Sequence, residues 1–219
     1  MKATEDTVVA NWYLNKMRGK VDTPRDKLKI HASDLELCPV KTWYRRILPE
    51  GQCPLSDKLI LFFASGIAWE AWLDTEHQYA IKDGIHCGAD DKTEHGLTEM
   101  KSTRKWTSTF NPTKSYPHWV FRMKTYAAAF EQTHINLVVF FWVGNGRDVG
   151  IDLKAWRVEF EANELDEHWA EVLRRKAILL TALETGEPID VRLIWTEAWE
   201  CKSCNFGELC YAKEIVQTK

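Results

Sequence analysis

Apolar positions along the chain fall into two rhythms. A spacing near 3.6 residues joins Val8, Val9, Trp12 and Tyr13 and predicts a helix over 1–20. Residues 21–29 are polar, include Pro24, and read as a loop. Ser33 is placed to cap a short helix, with Glu36 three residues on as its capping-box partner. Pro39 suits the first turn of a second helix through Trp43, Tyr44 and Ile47, which Pro49-Glu50-Gly51 stops. Residues 57–79 form a long helical pattern without proline, with Leu59, Phe62, Phe63, Gly66, Ile67, Glu70 and Leu73 near one face. Helices are also predicted over 118–132, led by Trp119, Met123 and Tyr126, and from a cap at Asn163 to Gly186, with Leu165, Trp169, Leu173, Ile178 and Leu180 inward.

The second rhythm has period two. Ile85, Cys87, Ala89 and Asp91 alternate along one stretch, and residues 98–103 read as a strand. The linker 92–96 is polar and holds Gly96, which predicts a hairpin between them. Residues 135–143 form a buried strand, Asn145-Gly146 a turn, and 151–160 its hairpin partner. Residues 189–195 are short and β-like, and 106–117, with Pro112 and Pro117, is a loop. The mixture is that of an α/β fold. No internal repeat is evident.

Composition narrows the class. At 219 residues the chain supports one substantial core and is short for two. Hydrophobic content of 45% and charged content of 28% suit a globular protein, and eleven tryptophans imply that several are in the core. A net charge of −3 excludes the global basic field of a nonspecific nucleic-acid coat, though not a local basic groove beside an acidic metal pocket. No run of about 20 apolar residues predicts a membrane span. The first residues lack the basic start and apolar core of a secretory signal, so a cytoplasmic location is expected.

The candidate chemistry lies in the central hairpin. Glu99 and Lys101, two apart on a strand, point to one face. The hairpin would bring Asp91 beside them. Two carboxylates can hold a hard divalent cation, and the adjacent ammonium can orient water or offset charge developing on phosphate. That is a constellation for phosphodiester hydrolysis. Glu70, one helical turn after Gly66, is a candidate third metal ligand. Arg122 and Tyr126 sit one turn apart on a helix and can both face a substrate. Arg104, Lys105 and Arg122 are candidate phosphate contacts, with nearby aromatic residues to stack bases.

Of six cysteines, Cys201, Cys204 and Cys210 lie within ten residues. The Cys-x2-Cys pair chelates with little loop strain, and Cys210 adds a third thiolate. A closed zinc or iron–sulfur site needs a fourth, for which Cys38, Cys53 and Cys87 are available. Cys38, opening a helix before a proline, is the most rigid position.

With these pieces assembled, the chain resembles the RecB-like branch of the PD-(D/E)XK nuclease superfamily. More narrowly, it is similar to the CRISPR-associated and viral exonucleases that carry an iron–sulfur cluster. The resemblance runs from about Ser33 to Tyr211. Its motifs are Ser33-x-Leu35-x-x-Cys38-Pro39 followed by Tyr44, then Gly66-x-x-x-Glu70, Gly88-x-x-Asp91, Glu99-Met100-Lys101, the Tyr126 helix and Cys201-x2-Cys204-x5-Cys210. It implies one nuclease domain over 1–219, a restriction-endonuclease-like core with a central mixed sheet flanked by helices. Segments 30–48 and 196–212 would jointly form the cluster region.

The resemblance also implies roles. Glu70, Asp91 and Glu99 would be Mg²⁺ or Mn²⁺ ligands, with Lys101 and Tyr126 completing the catalytic set. Cys38, Cys201, Cys204 and Cys210 would bind a structural [4Fe-4S] cluster. Asp90 is the alternative to Asp91, which is preferred for its distance of three from Gly88 and its parity with the core-facing residues. The branch usually has histidine where Glu70 stands and glutamine where Arg122 stands. The implied activity is a metal-dependent DNA exonuclease acting on single strands or DNA ends. The alternative is an accessory end-binding or end-processing subunit working with an integrase or recombinase. A further rival is a structural protein stapled by zinc.

Overall fold

The computed structural model describes residues 7–21, 26, 29–49, 52–143 and 150–212. Two mixed sheets follow one another along the chain and are flanked by helices. In the first, β1 (Ile30–His31) lies parallel to β3 (Ile85–Ala89), which pairs antiparallel with β2 (Gln78–Lys82). In the second, β5 (Gly96–Thr103) is central to the site. It pairs antiparallel with β4 (Asp91–Thr93) and parallel with β6 (His134–Phe141), and β6 pairs antiparallel with β7 (Asp152–Glu159).

The helices are α1 (Thr7–Val21), α2 (Ala32–Glu36), α3 (Pro39–Ile47), α4 (Asp57–Trp72), α5 (Pro117–Ala129), α6 (Ala162–Thr185) and α7 (Ala198–Lys202). The register sets Glu99 opposite Leu137, Lys101 opposite Val139 and Thr103 opposite Phe141, so all six share one face. Against that side pack Met123, Tyr126 and the rest of the inner face of α5, backed by Val172 and Leu179 of α6. The other face presents Phe140, whose ring meets Trp69 of α4 at 3.9 Å between centroids.

Several expectations give way. The helix predicted over 57–79 ends at Trp72, because Gln78–Lys82 is needed as β2. The turn after β2 is Asp83-Gly84, with φ of 48° and 69°. Two consecutive left-handed residues make a tight hairpin turn, for which Asp-Gly is the favoured pair. The signal is carried by the sequence itself. The hairpin predicted between 85–91 and 98–103 is shorter than expected. β3 belongs to the first sheet, the chain bends at Asp90, and only Asp91–Thr93 pairs with β5. The N-cap of α2 is His31, whose N–H donates to Asp34 Oδ2 at 2.9 Å, so Ser33 and Glu36 form no box. The cap of α6 is Glu161 rather than Asn163, and its far end closes at Gly186 with φ 71°. Residues Val191–Leu193 form a single 3₁₀ turn where a β-like stretch was expected. Pro24, Glu50-Gly51 and Asn145-Gly146 lie outside the described residues. Among the described residues, no helix is long and apolar enough to cross a membrane.

Candidate active site

The bend at Asp90 is where the chain leaves one sheet and enters the other. In the β4–β5 hairpin Asp91 is paired with Thr98 and Thr93 with Gly96. Paired residues share a face in an antiparallel ladder. Asp91 therefore shares the face of Thr98, and the residue that continues the ladder opposite Glu99 is Asp90. The contacts agree. Met100 N–H donates to Asp90 Oδ2 at 2.7 Å, and that oxygen lies 3.9 Å from Lys101 Nζ. Asp91 is engaged elsewhere: its Oδ1 accepts from Glu76 N–H at 3.0 Å and from Lys92 N–H at 2.8 Å. The hairpin's register thus sets Asp90, rather than the preferred Asp91, beside Glu99 and Lys101. Counting outward from the Thr93–Gly96 pair would have found it.

Glu99 is completely buried. Its Oε1 contacts the Lys101 ammonium and lies 3.5 Å from Arg122 Nη1, while its Oε2 is buried with no partner. Arg122 comes from α5 and is shared. Its Nε donates to Glu36 Oε2 at 2.5 Å, and its Nη2 contacts the same oxygen. The other oxygen of Glu36, Oε1, is also buried without a partner. Glu36 was expected to cap a helix; instead its carboxylate turns inward from the end of α2 to Arg122. A charged residue among Leu35, Leu37 and Cys38 was the available hint.

Glu70 approaches from α4. Its Oε2 lies 3.8 Å from His77 Nε2, and beside it opens a cavity of about 220 Å³ lined by Ile67, Glu70, Ala71, Asp74, Thr75 and His77. Burial, then the charge of Asp90, raises the Glu70 carboxyl. The same two causes, in the same order, lift Glu99 to about 7. Burial and then the Glu99 charge push the Tyr126 phenol well above its usual range. Burial opposes the charge on Arg122, and Glu36 leads the groups that outweigh it. His118, beside the cluster, falls to about 4 through burial and the charges of Arg122 and Lys101. Four carboxylates, Glu36, Glu70, Asp90 and Glu99, thus interact with two cations, Lys101 and Arg122. With all six ionised the imbalance is two negative charges, and among the described residues Glu36 Oε1 and Glu99 Oε2 lack partners. Carboxylate oxygens of this kind are the ligands a hard divalent cation takes.

Of the other expected phosphate contacts, Lys105 donates to Ser115 O at 3.2 Å and lies over the Tyr116 ring, while Arg104 is exposed at the end of β5. Among the described residues, no three His, Cys, Asp or Glu converge on a single-ion position.

The cysteines form a second centre. Cys38, Cys201, Cys204 and Cys210 line one small cavity with Val40, Lys41, Tyr44, Glu200, Phe206 and Gly207. Cys53 and Cys87 are not among its walls; Cys87 is in the core, where burial raises its thiol to about 12. The cavity is built by closing the C-terminal segment onto α3. Cys38 N–H donates to Glu200 Oε2 at 2.9 Å, Tyr44 OH to Leu209 O at 2.6 Å, and Asn205 Nδ2 to Cys53 O at 2.5 Å. Phe206 stacks on Tyr44. Burial raises the Cys38 thiol to about 11. Lys41 is pulled down chiefly by burial, against the opposing influence of Cys204, Glu200 and Cys38.

The fold is similar to that of the solved structure of SSO0001. Identity is 17% over 94% of this chain and 97% of that one, with a TM-score of 0.59. Two looser similarities are to the alkaline exonuclease LHK-Exo of Laribacter hongkongensis. One is at 15% identity over 78% and 95% of the two chains with a TM-score of 0.45. The other, in complex with dAMP, is at 18% over 72% and 90% with a TM-score of 0.44. No family model matches the chain, and no curated protein matches it.

Proposed function

We propose that the chain is a metal-dependent deoxyribonuclease of the PD-(D/E)XK type, hydrolysing phosphodiester bonds from DNA ends or single strands. The observation that carries the reading is Glu99: a fully buried carboxylate with one unpartnered oxygen, flanked by Asp90 and Lys101. Asp90 and Glu99 would hold Mg²⁺ or Mn²⁺, with Glu70 as a third ligand from α4. The ion, when bound, supplies Lewis acidity at the scissile phosphate and a more acidic water. Lys101 holds the Glu99 carboxylate and offsets charge that builds on the phosphate. Tyr126, kept protonated by burial and by the Glu99 charge, has a hydroxyl to donate to a phosphate oxygen. Arg122, gripped by Glu36, reaches the same Glu99 oxygen as Lys101.

DNA labelled in turn at each end, incubated with Mg²⁺, Mn²⁺ or EDTA, tests this. Label should be released with either metal and retained with EDTA, and Lys101→Ala should retain it throughout. Digestion by Lys101→Ala at the wild-type rate overturns the assignment.

We infer further that Cys38, Cys201, Cys204 and Cys210 hold a [4Fe-4S] cluster. Four thiols on one cavity meet the ligand count, and Lys41 beside them offsets the charge of their thiolate forms. The cluster would supply a covalent tie between α3 and the C-terminal segment. Protein purified without oxygen should contain iron and sulfide and absorb visible light. A colourless sample with one zinc per chain sinks this assignment.

A further inference from the structure

Arg122 stands between two buried carboxylates and divides itself unequally. Its Nε donates to Glu36 Oε2 at 2.5 Å, and its Nη2 contacts the same oxygen. Only Nη1 turns to Glu99, 3.5 Å from Oε1. Among the described residues these are the two carboxylates within ion-pairing reach of the guanidinium. A buried cation that loses one counter-charge is strongly driven to another. Glu36 is itself held in place. Arg175 of α6 donates from Nη1 to Leu35 O at 2.9 Å and to Glu36 O at 3.4 Å. The same guanidinium lies 4.1 Å from the ring centre of Phe121, the residue before Arg122. Two residues beyond Glu36, Cys38 N–H donates to Glu200 Oε2 at 2.9 Å. The end of α2 and the Phe121–Arg122 turn of α5 are thus fastened to one another.

We propose that Glu36 is a positioning residue for Glu99. By taking two of the three nitrogens of Arg122, it keeps the guanidinium from closing on the Glu99 carboxylate and leaves Glu99 open to a divalent cation. The inference rests on the nuclease reading above. Without the charge of Glu36, the Arg122 fork would turn to Glu99 as a two-point pair, the arrangement that guanidinium and carboxylate favour. A metal would then have to displace it. Lys101 imposes no such barrier. Its ammonium is a compact point charge that contacts Glu99 Oε1 and donates to Met100 O, while Glu99 Oε2 has no partner among the described residues. Because Glu36 acts through Arg122, its influence must vanish when Arg122 is absent. A carboxylate acting on the cation from a distance would be felt in either case.

Calorimetric titration of the full chain with Mn²⁺, without DNA, reads this through a double-mutant cycle. Glu36→Gln keeps the side chain's shape and should weaken Mn²⁺ binding about 10- to 100-fold, the worth of one hydrogen bond to a charged group. In an Arg122→Gln background the same change should alter affinity by no more than about 2-fold, the scatter of independent sites. Equal weakening in the two backgrounds makes Glu36 a distant charge and overturns the proposal. So does unchanged Mn²⁺ affinity in folded Glu36→Gln, even with a lower urea midpoint, since a merely structural tie predicts that result. Should either variant not fold, the wild-type chain decides by NMR. The Arg122 Nε–H, held by Glu36, should exchange slowly with and without Mg²⁺, and rapid exchange in either state overturns the assignment. Wild-type protein that binds no Mn²⁺ removes the nuclease reading and this inference together; binding with an additive cycle removes this inference alone.

Discussion

The Asp90, Glu99 and Lys101 part of the acidic cluster is assembled from near neighbours, the cysteine cavity from segments 162 positions apart. Asp90, Glu99 and Lys101 meet through one short hairpin, so local register places them. Cys38 meets Cys201, Cys204 and Cys210 only after α6 has returned and the C-terminal segment has closed on α3. Closing a loop of that length costs on the order of 4–5 kcal/mol of chain entropy. Burial acts alike in both: it raises Glu70 and Glu99 in the cluster, and it raises Cys38 and lowers Lys41 in the cavity, each toward its neutral form. The ligands we propose differ with the donor sets, a hard cation for carboxylates and an iron–sulfur cluster for thiols.

The contrast can be broken at either side. The largest effect is expected at the cysteines. Cys204→Ser should remove iron and, with it, the tie between the chain's ends, costing on the order of 5 kcal/mol in urea unfolding. An unchanged midpoint with full iron content would refute that role. Next, Lys101→Ala should lower cleavage by about 10²–10³-fold, the cost of losing one group that meets transition-state charge. Its iron content should stay at the wild-type value, which separates the two centres.

A smaller effect sharpens the choice between adjacent aspartates. Mn²⁺ at about 100 times its dissociation constant should stabilise the protein by roughly 2.7 kcal/mol. Asp90→Asn should abolish that gain and Asp91→Asn should keep it, as read by melting with and without Mn²⁺. The reverse pattern would return the ligand role to Asp91.

The smallest effect lies outside both centres. His168 bonds Thr125 Oγ1 at 2.9 Å, and burial, then Lys124 and Arg175, depresses it to about 4 from 6.5. The folded state therefore holds it neutral. Its contribution is complete above about pH 6.5 and is lost as pH falls through 4, a change on the order of 2 kcal/mol. His168→Gln should flatten the stability profile across that window. An identical slope in the variant assigns the acid loss to other groups.

The sequence was most legible where one period dominated. α3, β6 and the buried face of α5 stand close to where the pattern put them. The Glu99–Lys101 pair was legible because two residues on a strand share a face whatever the tertiary structure. Asp90 was not, because parity depends on which residues close the turn, and one residue of register moves a side chain to the opposite face. Glu36 was hidden for another reason. Its partner Arg122 is 86 residues away, and the apolar neighbours that hint at burial do not say which cation it meets. The end of α4 was missed because an apolar run continues past the helix until Asp83-Gly84 demands a strand before it.

The hydrogen bond from Cys38 to Glu200 spans 162 positions. During synthesis, α3 emerges with its half of the cavity facing nothing, and stays so until residues 200–210 have left the ribosome. The central hairpin has by then had ample time to form. Maturation is therefore ordered in time: Asp90, Glu99 and Lys101 come into register early, and the contact that fastens α3 to residues 200–210 forms late.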